Sequence, residues 1–188
     1  LAKLITGLYQ PDQGEIRLDG KPVDDTDRDA YRQLFSTLFT DFFLFDSLIG
    51  LEAPDLDQRA AGYLQQLRLD HKVTVSAGAL SCTDLSQGQR KRLALLTALL
   101  EDRPIYLFDE WAADQDREFK NVFYNQLVPS LVRRGKTAVV ITHDDRYFHL
   151  ADRLLVMQEG RIVRIEDNRS ESVSTPSSPG DPRGTARG

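Results

Sequence analysis

The 188-residue chain has a single cysteine, Cys82, so no disulfide can form within it. It also has none of the paired Cys or His spacings that a structural zinc site needs. A reducing compartment fits both absences. Positive charge is not in excess: 24 Lys and Arg against 29 Asp and Glu leave a formal net charge of −5. No global field therefore exists to hold nucleic acid or an anionic membrane surface, and any polyanion site must be local. No apolar run approaches the ~20 residues of a membrane helix, and no stretch has the make-up of a signal peptide. The opening lacks a cap as well. Leu1, Leu4, Ile5 and Leu8 follow the spacing of an amphipathic helix, with no Ser, Thr, Asp or Asn ahead of them to take the first amide donors. The expectation is a helix already under way, in a chain that continues upstream.

What is present suits one globular domain: 40% of residues are hydrophobic and 28% charged, enough for a sizeable core. Gly14 to Asp19 reads as a strand, with a hairpin signal at Asp19-Gly20. A helical turn is expected over Asp29–Arg32, a buried strand over Leu34–Phe39, and a helix from about Asp55 to Leu69, followed by an irregular stretch to Asp84. A second helix spans about Gln89 to Glu101. Ile105–Phe108 and Thr137–Thr142 are apolar runs flanking a helix over Glu118–Arg133, which makes a βαβ unit. Such runs are what strands buried on both faces of a parallel sheet look like. A hairpin over Leu154–Met157 and Arg161–Ile165 closes the pattern. From Asp167 onward Ser, Pro, Gly, Asp and Arg dominate, and that tail is expected to be disordered.

Both strands of the βαβ unit end in polar residues, Asp109 and Glu110 after the first, His143 and Asp144 after the second. Parallel strands place those ends on one edge, where open α/β sheets bind ligands. Carboxylates can simply mark where a strand meets solvent, but their pairing with His143 across one crevice suits Mg-nucleotide chemistry. Asp109 can hold the Mg²⁺ shell, and Glu110 can orient or deprotonate an attacking water. The second site is Leu85-Ser86-Gln87-Gly88-Gln89, followed by Arg90-Lys91-Arg92. Ser86 can cap the helix, and Gly88 admits close approach to the backbone. The free amides there attract phosphate. Three cations in the first turn oppose the helix dipole, which makes sense if a polyanion or an acidic partner docks nearby; the plain alternative is a capped surface helix with solvated charges.

Together these residues resemble the ATP-binding cassette of ABC transporters. Leu85-Ser86-Gln87-Gly88-Gln89 resembles the signature sequence, with Gln87 where Gly is usual, and Ile105 to Glu110 resembles Walker B with its catalytic glutamate. Ala113-Asp114-Gln115-Asp116 falls where the D-loop lies, and His143 resembles the switch histidine. The resemblance covers about residues 1–166. The runs Asp109–Asp116 and His143–Phe148 are similar to the bacterial cyclic-peptide and siderophore exporter group. The implied fold is α/β, a P-loop NTPase-like cassette with a mainly parallel core sheet, a small antiparallel β part and a helical signature subdomain over about 47–101. The implied activity is ATP hydrolysis that powers efflux, with ATP and Mg²⁺ as cofactors. Two cassettes would pair head to tail, joined to a transmembrane domain at the cytoplasmic face of the bacterial inner membrane. Carried over, Asp109 would serve Mg²⁺, Glu110 the water and His143 the γ-phosphate. Ser86, Gln87, Gly88 and Gln89 would hold the partner's ATP, and Asp116 would support the dimer contact.

Two departures from the family stand out. The Q-loop glutamine position falls at Thr40 with Asp41 next to it, so metal and water contacts rest on unusual residues there. The Walker A run Gly-x-x-x-x-Gly-Lys-Ser/Thr is absent; it would lie immediately before Leu1, so these residues alone are expected to be inactive. Phe42, Phe43 and Phe45 fall where cassettes receive the membrane domain, and serve either that contact or the core. Trp111 is expected to pack and Cys82 to be inert. Two other readings stay open. One is a soluble ABC-type ATPase of translation or DNA repair, although Asp41 and Ser86 lie only 45 positions apart, too few for an inserted coiled coil. The other is a non-catalytic regulatory module, against which Glu110 and His143 argue.

Overall fold

The structure is a computed structural model and describes residues 1–168 except Phe43, Phe45, Asp46, Ile49, Glu52 and Thr83. Two of the three candidate docking phenylalanines and the tail over 169–188 therefore lie outside the described residues. The chain divides into two compact units, Leu1–Asp145 and a second beginning at Arg146.

The first unit opens with the short helix α1 (Ala2–Ile5). The expected strand over Gly14–Asp19 is reduced to β1 (Arg17–Leu18), which pairs antiparallel with β2 (Lys21–Pro22) around Asp19-Gly20. Both turn residues have positive φ, 50° and 79°, the backbone of the tight hairpin the sequence signals. Helix α2 (Arg28–Arg32) lies against α1: the Tyr31 hydroxyl donates to the Ile5 carbonyl at 2.6 Å, and Arg32 donates to the Gly7 carbonyl.

Strand β3 (Phe35–Leu38) leads to helix α3 (Leu56–Gln66). The stretch expected to be irregular holds a small hairpin, β4 (Val75–Ser76) with β5 (Ala79–Leu80). Its turn residues Ala77 and Gly78 both have positive φ, at 49° and 73°. Alanine is an unusual occupant of such a position; here the Asp57 carboxylate accepts both turn amides, at 2.7 and 3.1 Å, and holds the bend.

Helix α4 (Gln87–Glu101) places Leu93, Leu95, Leu96 and Leu99 in the core, each no more than 2% exposed. It packs on α3 and β3. Strand β6 (Ile105–Asp109) is the centre of a three-stranded parallel sheet, order β3-β6-β7, with β7 spanning Thr137–Ile141. Central position explains why Tyr106, Leu107 and Phe108 are fully buried. Strand β7 departs from the expectation: among the described residues it pairs only with β6, and its apolar side chains are half-buried rather than covered on both faces.

The helix expected over Glu118–Arg133 is interrupted. It comprises α5 (Arg117–Val122), a π-helical turn (Phe123–Leu127) and α6 (Val128–Arg133). Pro129 supplies the reason. It has no N–H to continue an α-helical ladder and its ring crowds the preceding turn; the wider π turn, closed by the Val128 amide on the Phe123 carbonyl, absorbs it. Trp111, Phe119 and Phe123 pack with Phe108 as a buried aromatic cluster, with the Trp111 and Phe123 rings 4.8 Å apart.

A 3-10 turn (Asp145–Leu150) leads to the hairpin of the second unit, β8 (Arg153–Gln158) and β9 (Arg161–Asp167), bulged between Val156 and Met157. The second strand runs through Asp167, whose carboxylate accepts the Arg153 Nε–H at 2.6 Å. Among the described residues, no helix is long and apolar enough to cross a membrane.

Candidate functional site

Parallel pairing of β3, β6 and β7 delivers three strand ends to one edge. Thr40, just beyond β3, donates its hydroxyl to the Asp109 carbonyl at 3.1 Å. Beyond β6, the Glu110 amide donates to the Ile141 carbonyl at 3.0 Å, which extends the ladder by one bond. His143 follows β7, and its Nδ1 lies 2.9 Å from Glu110 Oε2. Thr40, Asp109, Glu110 and His143 are therefore gathered at the carboxyl edge of the sheet, while Asp41 sits exposed at the next position along.

Glu110 carries two marks of a working position. Its φ is 51°, a left-handed backbone that costs any residue with a Cβ energy and persists where the surroundings impose it. Its Oε2 is buried yet has no hydrogen-bond partner, because His143, although close enough for an ion pair, is not aligned to donate. A buried carboxylate oxygen left unpaired is costly. The His143 side chain is 80% exposed, so with Nδ1 turned to the carboxylate its Nε2 lies on the far side of the ring.

The second cluster is built on the start of α4. Ser86 and Gln89 form a reciprocal capping box: the Ser86 hydroxyl accepts the Gln89 amide, and the Gln89 side chain accepts the Ser86 amide at 3.2 Å. Gln87 opens the helix. Gln115 Nε2 donates to the Gly88 carbonyl at 3.2 Å, and its Oε1 accepts the Arg92 Nε–H at 2.9 Å. A Cβ at Gly88 would meet only the Gln115 amide, at 3.8 Å or more, so nothing within the chain demands glycine there.

Two of the three helix-start cations have acidic partners in the chain itself, so they neither stand as solvated charges nor await an outside polyanion or acidic partner. Lys91, 1% exposed, meets Asp114 at 2.6 Å, and that contact holds the Asp114 carboxyl below its ordinary range. Arg92 pairs with Asp116 and lies over the Phe119 ring, 3.8 Å from its centroid. Asp116 also caps α5 by accepting the Phe119 amide at 2.8 Å, and this hydrogen bond, with Arg92 beside it, lowers its pKa. Arg90 is exposed. The run of cations gave no sign that Lys91 would be buried, and Gln115 was legible only as part of the Asp114–Asp116 stretch.

The ABC transporter family model matches residues 1–113. The chain belongs to the ABC transporter family. It is 55% identical over 167 residues to the ATP-binding protein SyrD of Pseudomonas syringae, covering 87% of the chain and 29% of that protein. It is 32% identical over 184 residues to an ATP-dependent lipid A-core flippase of Alkalilimnicola ehrlichii, covering 90% and 30%. The chain thus spans less than a third of the length of these two relatives. Among solved structures, a dimeric ATP-binding cassette in a post-hydrolysis state with ADP and Pi superposes with a TM-score of 0.72 at 23% identity, covering 89% of the chain and 79% of its counterpart. An Atm1-family ABC exporter with ATP bound superposes at 0.73 and 19% identity, covering 89% and 31%. These likenesses establish the cassette fold: a parallel sheet, small antiparallel sheets and a helical subdomain.

Proposed function

We propose that the chain is the nucleotide-hydrolysing part of an ABC exporter, and that Glu110 acts on the water that attacks the γ-phosphate of ATP. The single observation that carries this reading is the Oε2 of Glu110, buried at the carboxyl edge of the sheet beside His143 with no hydrogen bond made to it. A general base needs a free oxygen aimed at its proton, and this one is held by a strained backbone beside an imidazole. His143, its Nδ1 toward Glu110, presents Nε2 to the γ-phosphate.

Oxygen donors at one strand edge fit Mg²⁺, which binds through one or two carboxylates together with the phosphates of its nucleotide. Asp109 would hold it, with Thr40 and Asp41 alongside, and its chemistry would be to neutralise charge on the phosphates. Among the described residues no group of three His, Cys, Asp or Glu forms a ready-made metal site.

Ser86, Gln87, Gly88 and Gln89 would face the nucleotide of a second cassette, paired head to tail. The open space over Gly88 supports this, since an outside group would use the missing Cβ. Asp116, anchored by Arg92, would sit at that contact. A transmembrane domain would complete the exporter at the cytoplasmic face of the inner membrane, and the substrate would be a cyclic peptide, siderophore or similar compound. These residues alone would neither bind ATP tightly nor turn it over.

The test is Glu110→Gln in the complete exporter. ATP binding should persist while turnover falls by ~100-fold or more, the loss expected of a missing catalytic base. Unchanged steady-state turnover would remove Glu110 from the role.

A further inference from the structure

His143 is 80% exposed, yet the backbone on either side of it is gripped by one helical segment. On the near side, Thr142 Oγ1 accepts two hydrogen bonds, from the Tyr124 hydroxyl at 3.2 Å and from the Asp144 amide at 3.1 Å. Both lone pairs of that oxygen are then used. On the far side, the Asp144 carboxylate faces Lys120 Nζ at 3.8 Å, with both side chains largely buried. Lys120 lies on α5 and Tyr124 in the π-helical turn that continues it, and both reach the segment around His143.

That helical segment is itself fixed. The Tyr124 ring is 6% exposed and stands edge-on to Phe123 at 4.9 Å, and Phe123 belongs to the aromatic cluster beneath β6. The grip is thus referred to the same core that sets Glu110. Glu110 cannot fix the imidazole unaided, because its Oε2 has no hydrogen bond from Nδ1 and the imidazole is mostly exposed.

We propose that Lys120 and Tyr124 are positioning residues for His143, acting through Asp144 and Thr142; the proposal rests on the reading of His143 as the contact to the γ-phosphate. Reacting groups must be held to within about half an ångström to be effective. An exposed ring on an unanchored strand end would not be.

The test uses the complete exporter, with ATP turnover followed across ATP concentration. Tyr124→Phe keeps the ring and removes only the hydroxyl, and Lys120→Met keeps the buried stem. Each should lower kcat roughly three- to tenfold, the worth of one lost hydrogen bond or ion pair, with KM for ATP within about twofold. In a His143→Ala background neither should lower kcat further. The swapped pair Lys120→Glu with Asp144→Lys should recover most of the rate lost in Lys120→Met. Effects fully additive with His143→Ala, or a lowered melting midpoint with unchanged kcat, would reduce the contacts to packing and overturn the proposal. If His143→Ala itself leaves turnover intact, the γ-phosphate reading fails and takes this one with it. If His143→Ala is slow and Tyr124→Phe and Lys120→Met run at the parent rate, positioning alone fails.

Discussion

Asp116 shows how one carboxylate can be spoken for inside its own chain even at a position proposed to meet a second chain. It caps α5 through the Phe119 amide and pairs with Arg92. Asp116→Ala should therefore destabilise the 188-residue chain by about 1 kcal/mol, the usual cost of a lost N-cap, as measured by urea unfolding at neutral pH. The pKa of Asp116 is lowered from the ordinary 3.8 by the capping hydrogen bond and Arg92. Its contribution is therefore present above that value and lost as pH falls through the lower folded-state value. The gap between parent and variant should shrink as the solution is acidified, and a gap that is constant with pH would argue against the ionic part of the account. At this scale the sequence showed the pairing of Glu110 with His143, because two apolar strands both ended in polar residues. It did not show the burial of Lys91, since a lysine between two arginines at a helix start reads as solvated, and only the fold brings Asp114 within 2.6 Å of it.

At the scale of elements, strong local signals and tertiary ones behaved differently. The start of α4 was legible in part: Ser86 was expected as a cap and is one, while the helix opens at Gln87 rather than about Gln89 and the reciprocal box with Gln89 was not foreseen. Ser86→Ala should cost roughly 0.5–2 kcal/mol and speed hydrogen exchange at the amides of Gly88 and Gln89. Exchange unchanged from the parent would mean that Gln115 on the Gly88 carbonyl, rather than the cap, holds this turn. The β4–β5 hairpin was not legible: Ala77-Gly78 lacks the Asn or Asp that normally announces such a turn, and the compensating acceptor, Asp57, lies 20 residues away. The π turn before Pro129 escaped for a similar reason. A proline inside an apolar-periodic segment can end, kink or widen a helix, and the packing of Phe123 and Tyr124 decides among these.

Across the whole molecule, the edge that carries Glu110 and His143 has carboxylates, an imidazole and hydroxyls, and its lysine, Lys120, faces Asp144; among the described residues no Gly-x-x-x-x-Gly-Lys-Ser/Thr run supplies the ring of amides that holds nucleotide in P-loop proteins. The nearest sequence to such a loop is Gly135-Lys136-Thr137, and its context disqualifies it. Ser130 stands where the first glycine would be, and Lys136 is committed to Asp102, with Nζ 2.7 Å from the carbonyl and 3.2 Å from the carboxylate. Lys136 also precedes β7, at the opposite end of that strand from His143. If two such chains pair head to tail as proposed, α4 of each would address a nucleotide seated on the other, so pairing would not supply the loop. Calorimetric titration of the 188-residue chain with Mg-ATP should therefore give no micromolar binding. The same chain joined to a Gly-x-x-x-x-Gly-Lys-Ser loop and its preceding strand should gain it. Micromolar binding without that addition would show that Thr40, Asp109, Glu110 and His143 suffice as a seat, and would revive the reading of this chain as a regulatory module that senses nucleotide without hydrolysing it.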